Sequence, residues 1–399
     1  MSMKKFTKKM LAIVAAGAMT MGLAMPAFAA DPSSTTPDTK NNAKEAYIKK
    51  TYNTEVKKPM EFTFTATQVK TGDYIVTKDL TCTIPSIKFE TSDFASEAGT
   101  YTKLSEKITF GTLEEAGKYE YNVTETASDP AISTTSGHEK LIMSGAEYKM
   151  DVYVVEKAGK LEIDKILVNK TKNDQGTSDS ETGKVDIGND LSKNGFNFVN
   201  TYAQEAGTGT DPVNPGTDPD VDYTNNGSLK VSKTINAQEG TASTTDSFSF
   251  TATFVFPKGT GVDTLGAKAG ENKLVLDTDG TYKFDLKDGQ NMKFTGLPVG
   301  TKITVTEAGA ANYKASAKVF LNGVEKTPAP AASKYNELLK AVGQEKLGQK
   351  KNTVDVTNTY NYVPTTGIIM NTLPYVLMVA LCAAALFGFV AFKRKKVQK

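Results

Sequence analysis

The chain has 399 residues, 39% hydrophobic and 23% charged, a balance typical of folded domains rather than disordered polymer. Its formal charge of +2 misrepresents the middle of the molecule: segments 1–30 and 367–399 carry nine Lys and Arg and no acid, leaving 38 cations against 45 acidic residues. That balance excludes a basic nucleic-acid binder, which needs excess positive charge to neutralise phosphates. A single histidine, His138, and two cysteines, Cys82 and Cys382, are too few for a Cys/His metal cluster or a Ser–His or Cys–His triad with its orienting partner. His138 follows Ser136-Gly137 and reads as a loop residue. No cofactor or metal is expected, since the Asp-rich stretch 207–222 lacks the spacing of an EF-hand loop.

Residues 1–29 combine a basic start (Lys4, Lys5, Lys8, Lys9), an apolar run from Met10 to Ala24 and a small-residue site at Ala27-Phe28-Ala29. This is the pattern of a secretory signal peptide. Residues 30–43 follow as a flexible N-terminal segment. Cys82 is then the one cysteine left outside the apolar tail, so no disulfide is available to hold a secreted chain together.

From 44 to 202 and again from 227 to 362, Thr, Val, Tyr and Phe alternate in short runs broken by turn residues, which predicts an all-β sandwich in each half. Between them, residues 203–226 are rich in Gly, Pro, Thr and Asp and predict a linker. The halves repeat the same landmarks. Phe62-Thr-Phe-Thr-Ala-Thr67 matches Phe248-Ser-Phe-Thr-Ala-Thr253, and Val123-Thr124-Glu125 matches Val305-Thr306-Glu307. Tyr148-Lys149 pairs with Tyr313-Lys314, and Asn200-Thr201-Tyr202 with Asn358-Thr359-Tyr360.

Three polar residues in each half fall on an apolar strand face. Side chains two apart share a face. Lys50 lies between Ile48 and Tyr52, and Lys233 between Val231 and Ile235. Glu125 ends the series Tyr119, Tyr121, Val123, and Glu307 follows Ile303 and Val305. Asn200 follows Phe196 and Phe198, and Asn358 follows Val354 and Val356. A buried lysine, carboxyl and amide are each costly unless they meet. Taken singly, such residues are ordinarily edge-strand gatekeepers or turn caps; the doubled trio argues for a common site. Chemistry supplies a reason for the trio, because an amine attacking a carboxamide carbon can form a Lys–Asn isopeptide bond. Burial frees the lysine lone pair and keeps the glutamate protonated, so the amine attacks the carboxamide carbon and ammonia leaves. The glutamic acid is expected to hydrogen-bond the amide oxygen and to shuttle the proton.

At the C-terminus, Val363-Pro364-Thr365-Thr366-Gly367 precedes an apolar stretch, Ile368 to Phe392, long enough to span a bilayer, and a basic tail from Lys393. Segment 363–399 resembles the sorting signal of Gram-positive surface proteins. The resemblance implies that a sortase cleaves between Thr366 and Gly367 and passes the threonyl carbonyl to an amine, the membrane segment holding the substrate meanwhile. Val363 replaces the usual Leu, as in the variant signals of pilins.

Leu229-Lys-Val-Ser-Lys233, Phe284-Asp-Leu-Lys-Asp-Gly289, Leu297-Pro-Val-Gly300 with Glu307, and the closing Asn358 resemble a two-domain streptococcal-type major pilin. This resemblance implies immunoglobulin-like domains with Lys–Asn isopeptide bonds at Lys50–Asn200 and Lys233–Asn358, and the catalytic places for Glu125 and Glu307. Lys49, beside Lys50, remains an alternative in the first domain. The family also uses a lysine before the last strand of the first domain to accept the next subunit, a position held here by Lys193. The implied function is a structural pilus shaft subunit, not an enzyme acting on other molecules, joined to copies of itself through Thr366–Lys193 links. Its implied partners are a pilus-type sortase, minor pilins and peptidoglycan, at the cell surface. The competing readings are a monomeric wall-anchored adhesin and an accessory or basal pilin.

Overall fold

The computed structural model describes residues 43–94, 99–132, 137–178, 182–209, 221–239, 245–327 and 329–361, with five isolated positions between 378 and 385. The leader 1–29 and the pentapeptide Val363–Gly367 lie outside the described residues, as does most of the apolar tail. Among the described residues, no helix is long and apolar enough to cross a membrane.

Period-two burial builds the layers. Met60, Phe62 and Phe64 point inward from the strand Met60–Val69, as do Phe248, Phe250, Ala252 and Phe254 from Phe248–Val255. In the first domain a four-stranded sheet, in the order Thr100–Leu104, Lys49–Thr54, Asn197–Gln204, Glu139–Ile142, faces a six-stranded sheet. The latter runs Gly183–Val185, Lys160–Lys172, Glu147–Lys157, Gly117–Asp129, Met60–Val69, Ile87–Phe89. The second domain sets a seven-stranded sheet against a four-stranded one. The larger is centred on Leu229–Glu239, Thr353–Asn361 and Tyr313–Leu321. The smaller runs Thr281–Leu286, Phe248–Val255, Lys302–Glu307, Leu339–Lys346. The all-β class and the pair of sandwiches are as expected.

In both domains the first and last strands lie side by side and parallel. Tyr52 stands opposite Asn200, and Ile235 opposite Asn358. The lysine of each trio is thus one same-face step along from the asparagine on the neighbouring strand. The glutamate arrives from the opposing sheet.

Two sequence expectations need correction. The Tyr148 and Tyr313 landmarks are not structurally equivalent. Tyr148 lies on Glu147–Lys157, which pairs with the Glu125 strand, whereas Tyr313 lies on Tyr313–Leu321, which pairs with the Asn358 strand. The strand beside Asn200 is instead the short Glu139–Ile142, which reaches only Thr201–Gln204. Nor are the described residues of 203–226 simply a solvated linker. Ala203, Gln204, Glu205, Ala206 and Thr208 are buried, and residues 221–226 form a short helix. The composition misleads because the backbone of this run bonds to distant chain. The Ala206, Gly207 and Gly209 N–H groups donate to the carbonyls of Leu297, Gly348 and Gln349 at 2.8, 3.0 and 2.7 Å.

Glu205 knots this junction together. Its Oε1 accepts from the Tyr223 and Ser228 hydroxyls, each at 2.7 Å, and from the Gly296 N–H. Its Oε2 lies 2.7 Å from His138 Nδ1. That hydrogen bond raises the His138 pKa above 6.5. A pKa raised by folding gives stability that is present below 6.5 and lost as pH rises through the folded value. The junction is therefore expected to melt a few degrees higher at pH 6 than at pH 8.5. His138→Gln should erase that difference, as read by calorimetry at the two pH values.

Candidate functional site: a buried Lys–Glu–Asn cluster in each sandwich

Each trio converges. In the second domain, Lys233 Nζ donates to Glu307 Oε1 and Oε2 at 3.0 and 2.9 Å, and Asn358 Nδ2 donates to Oε1 at 2.5 Å. In the first, Lys50 Nζ lies 2.7 Å from Glu125 Oε1, and Asn200 Nδ2 donates to the same oxygen at 3.0 Å. There the lysine approaches out of line, so Lys50 Nζ and Glu125 Oε2 are each left without a hydrogen-bond partner. The side chains of Lys50 and Glu125 are 0% exposed. Lys49 is only half-buried, so it is Lys50 that turns into the core.

A β-bulge aims Glu125. Phe64 pairs with Glu125 and Thr63 with Ala127, so Thr126 is the extra residue and the strand bends just beyond the carboxyl. Glu307 needs no such device, because Lys302–Glu307 ends there.

Aromatic rings cover both amines, and sequence reasoning did not assign them this place. Lys50 Nζ lies 4.3 Å from the Phe62 ring centroid, and Lys233 Nζ lies 4.1 Å from that of Phe248. The signal was present, since these two residues head the repeated Phe-x-Phe-Thr-Ala-Thr motif. A ring face tolerates an ammonium but withholds water. Burial lowers both lysines to about 8, against the pull of the adjacent carboxylates. It also raises Glu125 and Glu307 above the ordinary carboxyl range. Both shifts favour the neutral pair, in which the amine is nucleophilic and the carboxyl can give a proton.

One expectation is reversed. The glutamate faces the amide nitrogen rather than the oxygen in both clusters. In the first domain the orientation is fixed by the Ser144 backbone N–H, which donates to Asn200 Oδ1 at 2.8 Å, a contact only the oxygen can accept. The carboxyl thus stands at the leaving group.

Lys193 is remote from both clusters. Its side chain is 62% exposed and pairs with Asp190 at 2.9 Å, which raises its pKa. The loop beneath it is anchored by buried Asn194, whose Nδ2 donates to the Tyr47 and Gly188 carbonyls.

Each of the tandem β-sandwiches thus carries a lysine and an asparagine on its first and last strands, with a glutamate from the opposing sheet against them. Residues 227–360 match the family described as a domain of unknown function, DUF7601. A stretch of 118 residues is 36% identical to a pilin of Streptococcus pyogenes serotype M1, covering 30% of this chain and 32% of that protein. The chain thus spans about a third of that curated relative's length. Among solved structures, the major pilin of Streptococcus pyogenes aligns over 80% of this chain and 100% of its own, at 20% identity and a TM-score of 0.31. A pilus-presented adhesin aligns over 50% of this chain and 37% of its own, at 16% identity and a TM-score of 0.26. The sequence likeness is to a Gram-positive pilin.

Proposed function

We propose that this protein is the structural shaft subunit of a covalently assembled surface pilus. In this reading its two domains lock themselves with Lys50–Asn200 and Lys233–Asn358 isopeptide bonds, aided by Glu125 and Glu307. The observation that carries the reading is the doubled cluster: in both domains a buried lysine and a buried asparagine share one glutamate oxygen. No binding role explains placing that trio where water and ligand cannot reach. The identity to a named pilin supports the same direction.

A sortase then joins Thr366 of one subunit to Lys193 of the next, and the last subunit to peptidoglycan. Exposure of Lys193 on an anchored loop suits an acceptor, which must leave its Asp190 partner to enter the sortase site. The pentapeptide Val363, Pro364, Thr365, Thr366, Gly367 supplies the donor.

Intact mass tests the crosslinks. Secreted residues 31–362 should weigh about 34 Da less than their sequence, about 17 Da for each ammonia lost. Glu125→Ala and Glu307→Ala should each restore one increment. A folded protein of unmodified mass would sink the reading. Polymerisation has its own test, since Lys193→Ala should abolish the high-mass ladder in cell-wall extracts. A chain that loses 34 Da but never forms a ladder would be a wall-anchored monomer.

A further inference from the structure

The two clusters are not equivalent at the amide oxygen, and the difference has a structural source. In the second domain Tyr313–Leu321 runs alongside the whole closing strand, with Ala315 opposite Asn358. Asn358 Oδ1 is buried there with no hydrogen-bond partner among the described residues. In the first domain the strand beside the closing one stops at Ile142, and the chain turns there with Ser144 buried. That turn delivers the Ser144 N–H to Asn200 Oδ1 at 2.8 Å.

We propose that the Ser144 backbone N–H is the oxyanion donor for crosslinking in the first domain, and that Asp174 is the positioning residue that holds it on Asn200. This rests on the isopeptide reading above. Neutral Lys50 Nζ attacks Asn200 Cγ, forming the new C–N bond while the carbonyl π pair moves onto Oδ1. The Ser144 N–H meets that developing charge. The carbonyl then re-forms, the Cγ–Nδ2 bond breaks, and Glu125 relays one Nζ proton to Nδ2, which leaves as ammonia. A donor 2.7–3.1 Å from the oxyanion position is the geometry such stabilisation requires.

The support behind Ser144 is specific. Its hydroxyl donates to Asp174 Oδ1 at 2.5 Å and accepts from the Ala146 N–H at 3.1 Å. The same Asp174 oxygen accepts from the Val199 N–H at 2.8 Å, one residue before Asn200. Asp174 thus ties the donor and the target strand to one atom. Its own turn is held by buried Asn173, which accepts from the Gln175 and Thr177 N–H groups at 3.0 Å. Gly145 lets the two turns touch, because a Cβ there would lie 2.8 Å from the Gly176 nitrogen.

The division of labour follows. In the first domain a backbone amide serves the oxygen and Glu125 serves the leaving nitrogen. In the second, Glu307 stands at the leaving nitrogen alone, and Asn358 Oδ1 has no comparable donor among the described residues.

The test replaces the Ser144 amide with an ester by incorporating the α-hydroxy analogue of serine into the full-length chain during cell-free synthesis. Crosslinked peptides from each domain are then counted by mass spectrometry over time. First-domain bonding should slow by about 10²-fold, with the second domain as an unaffected internal control. Asp174→Ala should slow the first domain by about tenfold, and Asp174→Asn, which keeps the acceptor oxygen, should restore the parent rate. Unchanged first-domain rates, or equal slowing in both domains, would overturn the proposal. A parent chain that loses no ammonia from either domain would instead defeat the isopeptide reading itself. Should the ester chain not fold, hydrogen exchange at the Ser144 amide decides in the Lys50→Met variant. Protection there that Asn200→Ala abolishes supports the donor, and unprotected exchange overturns it.

Discussion

Asn358→Ala is expected to lower the melting temperature of the second domain by roughly 15–25 °C. The proposed bond to Lys233 would close a loop of about 125 residues, and that to Lys50 one of about 150. By analogy with disulfides, tying off loops of that length removes unfolded-chain entropy equivalent to about 5 kcal/mol, comparable with the entire stability of a small domain. For a domain of this size each kcal/mol moves the midpoint by several degrees. Glu307→Ala should fall as far as Asn358→Ala, since it prevents the bond while leaving both partners in place. Agreement between the two separates the crosslink from the packing of either side chain. Trypsin cleavage should accelerate in step. A variant that melts with the parent would show that no bond had stabilised it.

Under tension the two domains should behave differently. A pull entering at Lys193 reaches Asn200 within the closing strand of the first domain and passes through the 203–226 segment to Lys233. The second bond then offers a covalent path to Asn358 and out through Thr366. On the proposed reading the second domain lies in series and would be shielded by its bond, while most of the first hangs beside the path. Losing the second bond should release about 125 residues, roughly 400 Å less the folded end-to-end distance. Single-molecule extension between Lys193 and Thr366 should show that step in Asn358→Ala. Neither the parent nor Asn200→Ala should show it. Its appearance in Asn200→Ala would mean that force between these two points runs through the first domain and its bond, against the path described.

Both trios were legible in the sequence because strand alternation states which face a residue occupies, and a lysine between Ile48 and Tyr52 has nowhere to go but inward. Phe62 and Phe248 stood out only as heads of a repeated motif; their place over the amines was not read, because alternation alone does not say what an inward ring will touch. Other features depend on non-local pairing. Tyr148-Lys149 and Tyr313-Lys314 look alike locally, yet strand neighbours are chosen by distant chain, and the two tyrosines belong to different sheets of their sandwiches. Residues 203–209 read as spacer because Ala, Gly and Thr carry little side-chain information, while their backbone groups find partners near Leu297 and Gln349. The Ser144 turn is irregular backbone and follows no period. The bulge at Thr126 is one extra residue, invisible to a period-two count.

The parallel seating of the first and last strands also sets a schedule. The lysine and asparagine proposed to react in each domain sit at opposite ends of its chain, so on that reading neither domain seals until its closing strand has been made and delivered. Before that moment the polypeptide is an open thread with no internal knot, able to pass end-first through a narrow channel. Afterwards it is a closed loop that cannot be drawn out again. If the proposed bonds form, a chain whose cysteines stay free gains an irreversible latch whose timing is set by topology.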